Sequence, residues 1–312
     1  MIYCVSDIHG RIDLFTKLLD EISLASNDML FVLGDTIDRG GGLAVLRKVM
    51  ELQKAGVARF IVGDHEDNFL KNITVFDPNA AIALRENHRT NKLYGQFCNN
   101  LLGAFGLLAN SIEYATNMKK TQLSCEAAMN LTAYRGYRTV KEYSRLSDDE
   151  QKELLRFIRD APVYEDIEVS GKKYRLMHAG CNQKGETCLD IRQEFFMNKS
   201  PLKDRTIVFG HTTTRDIGIM RGTYAQPKVW FDRSHNNDKI AIDCGAPFYG
   251  GRLACLRLDD MKEFYIDNEM DLPAYVEETN DFAKIYGAPV NPDFAYIPVL
   301  EEAEAIVRSV SN

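Results

Sequence analysis

Apolar and polar positions alternate between two grammars in the first third of the chain. Short apolar runs, Ile2–Val5, Met29–Leu33 and Phe60–Val62, have the length and branching of buried strands. Between them, Leu14, Phe15, Leu18, Leu19 and Ile22, then Leu43, Leu46, Val49 and Met50, recur at helical spacing, with Gly56 placed to end the second helix. Strand alternating with helix predicts parallel strands joined by right-handed crossovers. The strand pattern returns at Tyr174–Met177, Thr206–Phe209, Lys239–Ile242, Leu253–Leu258 and Glu263–Ile266. Residues from about 77 to 160 are rich in helix formers and read as a helical insertion. The chain therefore divides into one domain over 1–267 carrying that insertion and a proline-marked extension over 268–312. An α/β fold is expected.

Polar residues and glycines follow directly after most of these strands. Ser6-Asp7-Ile8-His9-Gly10, Gly34-Asp35-Thr36-Ile37-Asp38-Arg39-Gly40 and Gly63-Asp64-His65-Glu66 come after the first three. His178-Ala179-Gly180, Gly210-His211-Thr212 and Asp243-Cys244-Gly245 come after the next three. Ligands bind at the carboxyl ends of parallel strands, so these loops are expected to build one site. Asp7, His9, Asp35, Asp64, His65, His178 and His211 form a donor set of nitrogen and oxygen without thiolate. Such donors suit hard or borderline divalent ions, and their number suits two ions sharing a carboxylate. Paired ions of this kind clamp the attacking and leaving oxygens of a phosphoryl displacement.

The same motifs, in this order and each after an expected strand, resemble those of the calcineurin-like metallophosphoesterases. Within that superfamily they are most similar to the bacterial and phage serine/threonine protein phosphatase-like branch. The resemblance implies a four-layer sandwich, two packed mixed β-sheets flanked by helices. It implies two divalent metal ions, with manganese the first choice and iron or zinc the others. Asp7 and His9 would hold the first ion, Asp35 would bridge, and Asp64, His178 and His211 would hold the second. His65 would protonate the leaving group, Asp38 would orient it, and Arg39 would bind phosphate. Arg192, in the helical stretch after the His-Ala-Gly motif, is the candidate second arginine. The implied reaction is hydrolysis of a phosphomonoester by a metal-bridging water.

Two departures shape the functional reading. The family's third motif carries Asn where this chain has Asp64. A carboxylate there leaves the metal shell one unit less positive, which should favour the metals and weaken phosphate attraction and water activation. Conversely, the symmetric diadenosine tetraphosphatases lack the second Asp of the Gly-Asp-x-x-Asp-Arg-Gly motif and carry His-Asp where this chain has His65-Glu66. Asp38 and Glu66 therefore favour a protein phosphatase over a hydrolase of diadenosine tetraphosphate or other nucleotides. A non-catalytic metal-binding regulator is the remaining class, and retention of His65, Asp38 and Arg39 argues against it.

Composition changes this picture little. The 312 residues carry a formal charge of −7, which argues against nucleic acid as the partner and leaves a phosphorylated protein or a small phosphate ester. Seven cysteines without a Cys-x-x-Cys pair suit reduced thiols and a cytoplasmic location. No apolar run approaches the length needed to span a bilayer, so no membrane association is expected. Of the six histidines, His9, His65, His178 and His211 fall in the strand-end loops, whereas His88 and His235 match no motif.

Overall fold

The structure is a computed structural model that describes residues 1–39, 41–74, 134–222 and 226–269. One five-stranded sheet has the order β12-β11-β1-β2-β3. Its strands are β1 (Ile2–Val5), β2 (Met29–Leu33), β3 (Ala58–Ile61), β11 (Arg252–Arg257) and β12 (Lys262–Asp267). The first three run parallel, as the alternation predicts, and β11 and β12 add antiparallel at the edge. A second five-stranded sheet has the order β4-β5-β8-β10-β9. It holds β4 (Tyr164–Val169), β5 (Lys172–Met177), β8 (Thr206–Phe209), β9 (Trp230–Phe231) and β10 (Lys239–Ala241). Here β5, β8 and β10 are parallel, while β4 and β9 are antiparallel edges. A small hairpin, β6 (Gly180–Cys181) and β7 (Thr187–Cys188), follows β5.

The period of two along each strand builds the layers. In β1, Cys4 points to one face, and Tyr3 and Val5 point to the other. Cys4 joins Phe31, Leu33, Ile61, Ala254 and Leu256 of the first sheet against Tyr174, Leu176, Val208 and Ile240 of the second. That cluster is the core between the sheets. Tyr3 and Val5 join Leu30, Val32, Phe60 and Cys255 beneath four of the described helices. Two of these, α1 (Ile12–Ile22) and α2 (Ala44–Lys54), bury the stripes that include Leu14, Phe15 and Leu18, and Val45, Leu46 and Val49. On the far side, Met177, Ile207, Phe209 and Ala241 pack on Phe195, Phe196 and Ile217. The fold is thus helices, sheet, sheet, helices: the expected four-layer sandwich.

Among the described residues, two elements fall within the expected 77–160 insertion, α4 (Tyr137–Tyr143) and α5 (Asp148–Asp160). Leu154 and Ile158 of α5 are buried in the outer core of the first sheet, so this part belongs to the helical layer. Most of the insertion, and the extension beyond Glu269, lie outside the described residues. The edge strand β4 escapes the hydrophobic pattern because Tyr-Glu-Asp-Ile-Glu-Val buries only Val169. Among the described residues, no helix is long and apolar enough to cross a membrane.

Candidate metal centre

The carboxyl ends of β1, β2, β3, β5 and β8 point to one place, and their loops bring the expected ligands together. Asp35, Asp64, His178 and His211 are buried and offer ligand atoms all within 4.8 Å of one another. His178 Nε2 lies 2.9 Å from Asp64 Oδ1 and 3.4 Å from Asp35 Oδ1, and His211 Nδ1 lies 3.0 Å from Asp64 Oδ1. On the other side of Asp35, His9 Nε2 stands 3.5 Å from Asp35 Oδ2 and 3.9 Å from Asp7 Oδ1. Asp35 thus faces both groups, one oxygen to each.

Backbone strain is concentrated here. Asp7, His9, Asp35, Asp38, Arg39 and His211 all have positive φ, half of the twelve such non-glycine residues described. Residues with side chains hold that region only where their surroundings force it. Two glycines let the backbone lie close against these aspartates. A Cβ on Gly210 would lie 2.0 Å from Asp7 Oδ2, and one on Gly63 would lie 2.3 Å from Asp35 Oδ1. Glu66, fully buried at N3 of α3 (Asp64–Ile73), ties these loops together. Its carboxylate accepts the backbone N–H of Asp35, Thr36 and Gly63 and the Thr36 hydroxyl. In the sequence Glu66 marks a motif and separates two substrate classes; its place three residues after a Gly N-cap is also the half-capping box that signals this tie.

The histidine tautomers suit cation binding. His9 Nδ1 donates to the Ile37 carbonyl at 3.0 Å, and His178 Nδ1 donates to the Leu33 carbonyl at 2.9 Å. Each bond makes Nε2 the nitrogen that faces the carboxylates, the usual outer support of a metal-ligating histidine. Burial, then the charges of Arg39 and His65, hold His9 well below the ordinary histidine range, so its lone pair is free. Burial works against charge on His178, but Asp35, Asp64 and Asp7 outweigh it and raise its pKa well above the usual value. Burial also raises Asp35 well above the carboxylate range, with Asp64, Asp7 and Glu66 adding to the effect against the opposing His178 charge. Burial would raise Asp64 too, but the bonds from His178 and His211 push it far down. A group of crowded acids held together by a shared proton has the chemistry of a divalent-cation site. The buried His211 Nε2 has no hydrogen-bond partner.

The remaining expected residues surround this core. His65 Nδ1 lies 2.9 Å from Asp38 Oδ2, which turns Nε2 toward Asp35 Oδ2 at 3.7 Å. Arg39 lies beside the site with its guanidinium 5.2 Å from the Phe248 ring, and its buried Nε has no partner. Arg192, just before α6 (Gln193–Met197), is exposed at the rim and donates from Nη1 to the His211 carbonyl at 2.9 Å. Asp243 is buried behind the site and accepts the Gly245 N–H; burial and then Asp7 raise its pKa. His235 takes no part and sits 2.8 Å from buried Asp232. His88 lies outside the described residues. Two neighbours had no sequence signal. The Tyr134 ring packs edge-on against His65 at 4.6 Å, and Thr139 contacts Asp38.

The family profile described as calcineurin-like phosphoesterase matches residues 1–215, more than half of the chain. The chain belongs to the calcineurin-like phosphoesterases. Over 71 residues this phosphoesterase is 41% identical to symmetrical bis(5'-nucleosyl)-tetraphosphatases of Acidovorax sp. (strain JS42) and Acidovorax ebreus (strain TPSY). The match covers 22% of the phosphoesterase and only a quarter of those relatives' length. Among solved structures, it resembles a putative diadenosine tetraphosphatase (TM-score 0.47, 16% identity, 86% of this chain and 94% of that one). It also resembles a metallophosphoesterase from Sphaerobacter thermophilus (TM-score 0.41, 14% identity, 92% and 95%). Such distant likenesses say nothing about substrate.

Proposed function

We propose that the protein is a dinuclear-metal phosphomonoesterase that acts on phosphoserine or phosphothreonine in proteins. The observation that carries this reading is the 2.9 Å pair of His65 and Asp38 facing the ligand cluster. A serine or threonine alkoxide is a poor leaving group and needs a positioned acid, whereas a nucleotide phosphate leaves readily without one. An acid held by a dedicated buried carboxylate is the equipment that the first substrate requires.

Asp7, His9 and Asp35 would hold one divalent ion, and Asp35, Asp64, His178 and His211 the other. Manganese is the ion proposed, iron or zinc being the other candidates that the donor set accepts. When bound, the ions would supply charge stabilisation and an activated water. The chain's own residues do the rest. Arg39, with its unpartnered Nε, binds a nonreacting phosphate oxygen, and Arg192 offers a second cation at the rim. His65 delivers the proton from Nε2 while Asp38 holds Nδ1. Catalysis is chiefly positioning and charge stabilisation, with no covalent phosphoenzyme.

A second reading, hydrolysis of symmetric diadenosine tetraphosphate, is favoured by the 41% identity over 71 residues to enzymes of that name. The deciding experiment is elemental analysis of purified protein followed by a substrate panel. Phosphopeptide hydrolysis exceeding that of the tetraphosphate supports the first reading. Tetraphosphate cleavage without phosphopeptide hydrolysis overturns it.

A further inference from the structure

Both oxygens of the Asp38 carboxylate are engaged. Oδ2 meets His65 Nδ1, and Oδ1 accepts the hydroxyl of Thr139 at 2.7 Å. The Asp38 backbone N–H in turn donates to Thr139 Oγ1 at 3.2 Å. A hydroxyl has one proton to give, so both bonds fix its rotor: proton to the carboxylate, lone pair to the amide. Thr139 is fully buried and lies 101 residues away in sequence, on α4. It grips side chain and backbone of a residue whose φ of 70° needs such support.

The same helix holds the rest of that loop. Glu142 Oε2 accepts the Leu43 N–H at 2.8 Å, ahead of α2. Gly42 lies so close that a Cβ there would be 2.1 Å from the same carboxylate. Immediately before α4, Tyr134 packs on the other side of His65, and its hydroxyl bonds Asp64.

We propose that Thr139 is a positioning residue for the leaving-group acid, holding Asp38 so that the His65 ring presents Nε2 to the substrate. This rests on the phosphomonoesterase reading above. It makes α4 a working part of the acid rather than a spacer in the insertion.

The test compares Thr139→Val, which keeps the shape and removes the hydroxyl, with Thr139→Ser, which keeps it. In the metal-loaded protein, Thr139→Val should lower kcat on a phosphoserine peptide about tenfold or more, and on p-nitrophenyl phosphate less than about threefold. KM and metal content should stay unchanged, and Thr139→Ser should restore the rate. In metal-stripped protein, the Asp38 amide should exchange at least about tenfold faster in Thr139→Val, having lost its acceptor. The His65 ring nitrogens should also lose their single Nδ1–H signature. Equal loss on both substrates overturns the proposal, as does an unchanged amide and ring signature. If the parent hydrolyses neither phosphate, the proposed function fails, while the metal-free measurements still decide whether Thr139 holds Asp38.

Discussion

His178 Nε2 and Asp64 Oδ1 stand 2.9 Å apart in a setting nearly closed to solvent, where Asp35, Asp64 and Asp7 favour a proton on His178 that would lie between the pair. A divalent ion at this site must displace that proton, because a ligating imidazole binds through its lone pair. Metal affinity is therefore expected to rise with pH through the neutral range. Calorimetry in buffers of different ionisation enthalpy should detect proton release on binding. An affinity independent of pH would contradict the shared proton.

The stability of the metal-free protein should run the other way. His178 and Asp35 both have folded pKa values raised above their unfolded values of about 6.5 and 3.9. Stability from a raised group is complete below the unfolded value and is lost as pH rises through the folded one. Asp64 is depressed, so its contribution is present above about 3.9 and is lost only as pH falls through its folded value. The metal-stripped protein should thus lose melting temperature as pH climbs above neutral, and added metal should restore it. Thermal scans between mildly acidic and alkaline pH read the sign directly.

Asp64→Asn tests the charge of the site. The neutral amide keeps one donor oxygen and removes a negative charge from the ion shell. The second ion should be held more weakly, roughly tenfold, and turnover of an aryl phosphate at saturating metal should rise. Metal content after dialysis and rate against metal concentration separate the two effects. Abolished activity at every metal concentration would mean that Asp64 is integral to this centre.

Glu66→Gln should damage the protein before it damages the chemistry. The buried carboxylate accepts four donors from the strand-end loops, and an amide would turn its own N–H groups on some of them. Buried donors left without acceptors cost about 1–3 kcal/mol each. Denaturant titration should show a loss of about that size, with weaker metal retention because the Asp35 loop loses its anchor. Unchanged stability would remove the tie.

The sandwich was legible because β1, β2 and β8 are short apolar runs whose boundaries the pattern matches, and α1 and α2 carry clear stripes. The clustering of the candidate ligands was legible because each follows a strand, where the parallel topology must bring loops together. What stayed hidden depends on distance or exposure. Strand β4 is an edge whose polar residues face water. Thr139 reaches Asp38 across 101 residues, and nothing local in Tyr-Arg-Thr-Val marks a threonine as the partner of an aspartate. The positive φ at Asp7, Asp35 and His211 is equally invisible, since nothing in the local sequence marks it.

His65→Asn asks whether the ring acts as an acid. Asparagine can still reach toward Asp38 but carries no proton that can be released at Nε2. Hydrolysis of a phosphate ester with a poor alkyl leaving group should fall about 10²–10⁴-fold, the usual worth of a positioned acid. A nitrophenyl ester, whose leaving group needs little protonation, should lose much less. Metal held by Asp35, Asp64, His178 and His211 should persist, because that group of ligand atoms does not include His65. A plot of log rate against leaving-group pKa should steepen in the variant. Parallel lines for parent and variant would mean that His65 serves the substrate's charge rather than its leaving oxygen, and the proton would have to come from elsewhere.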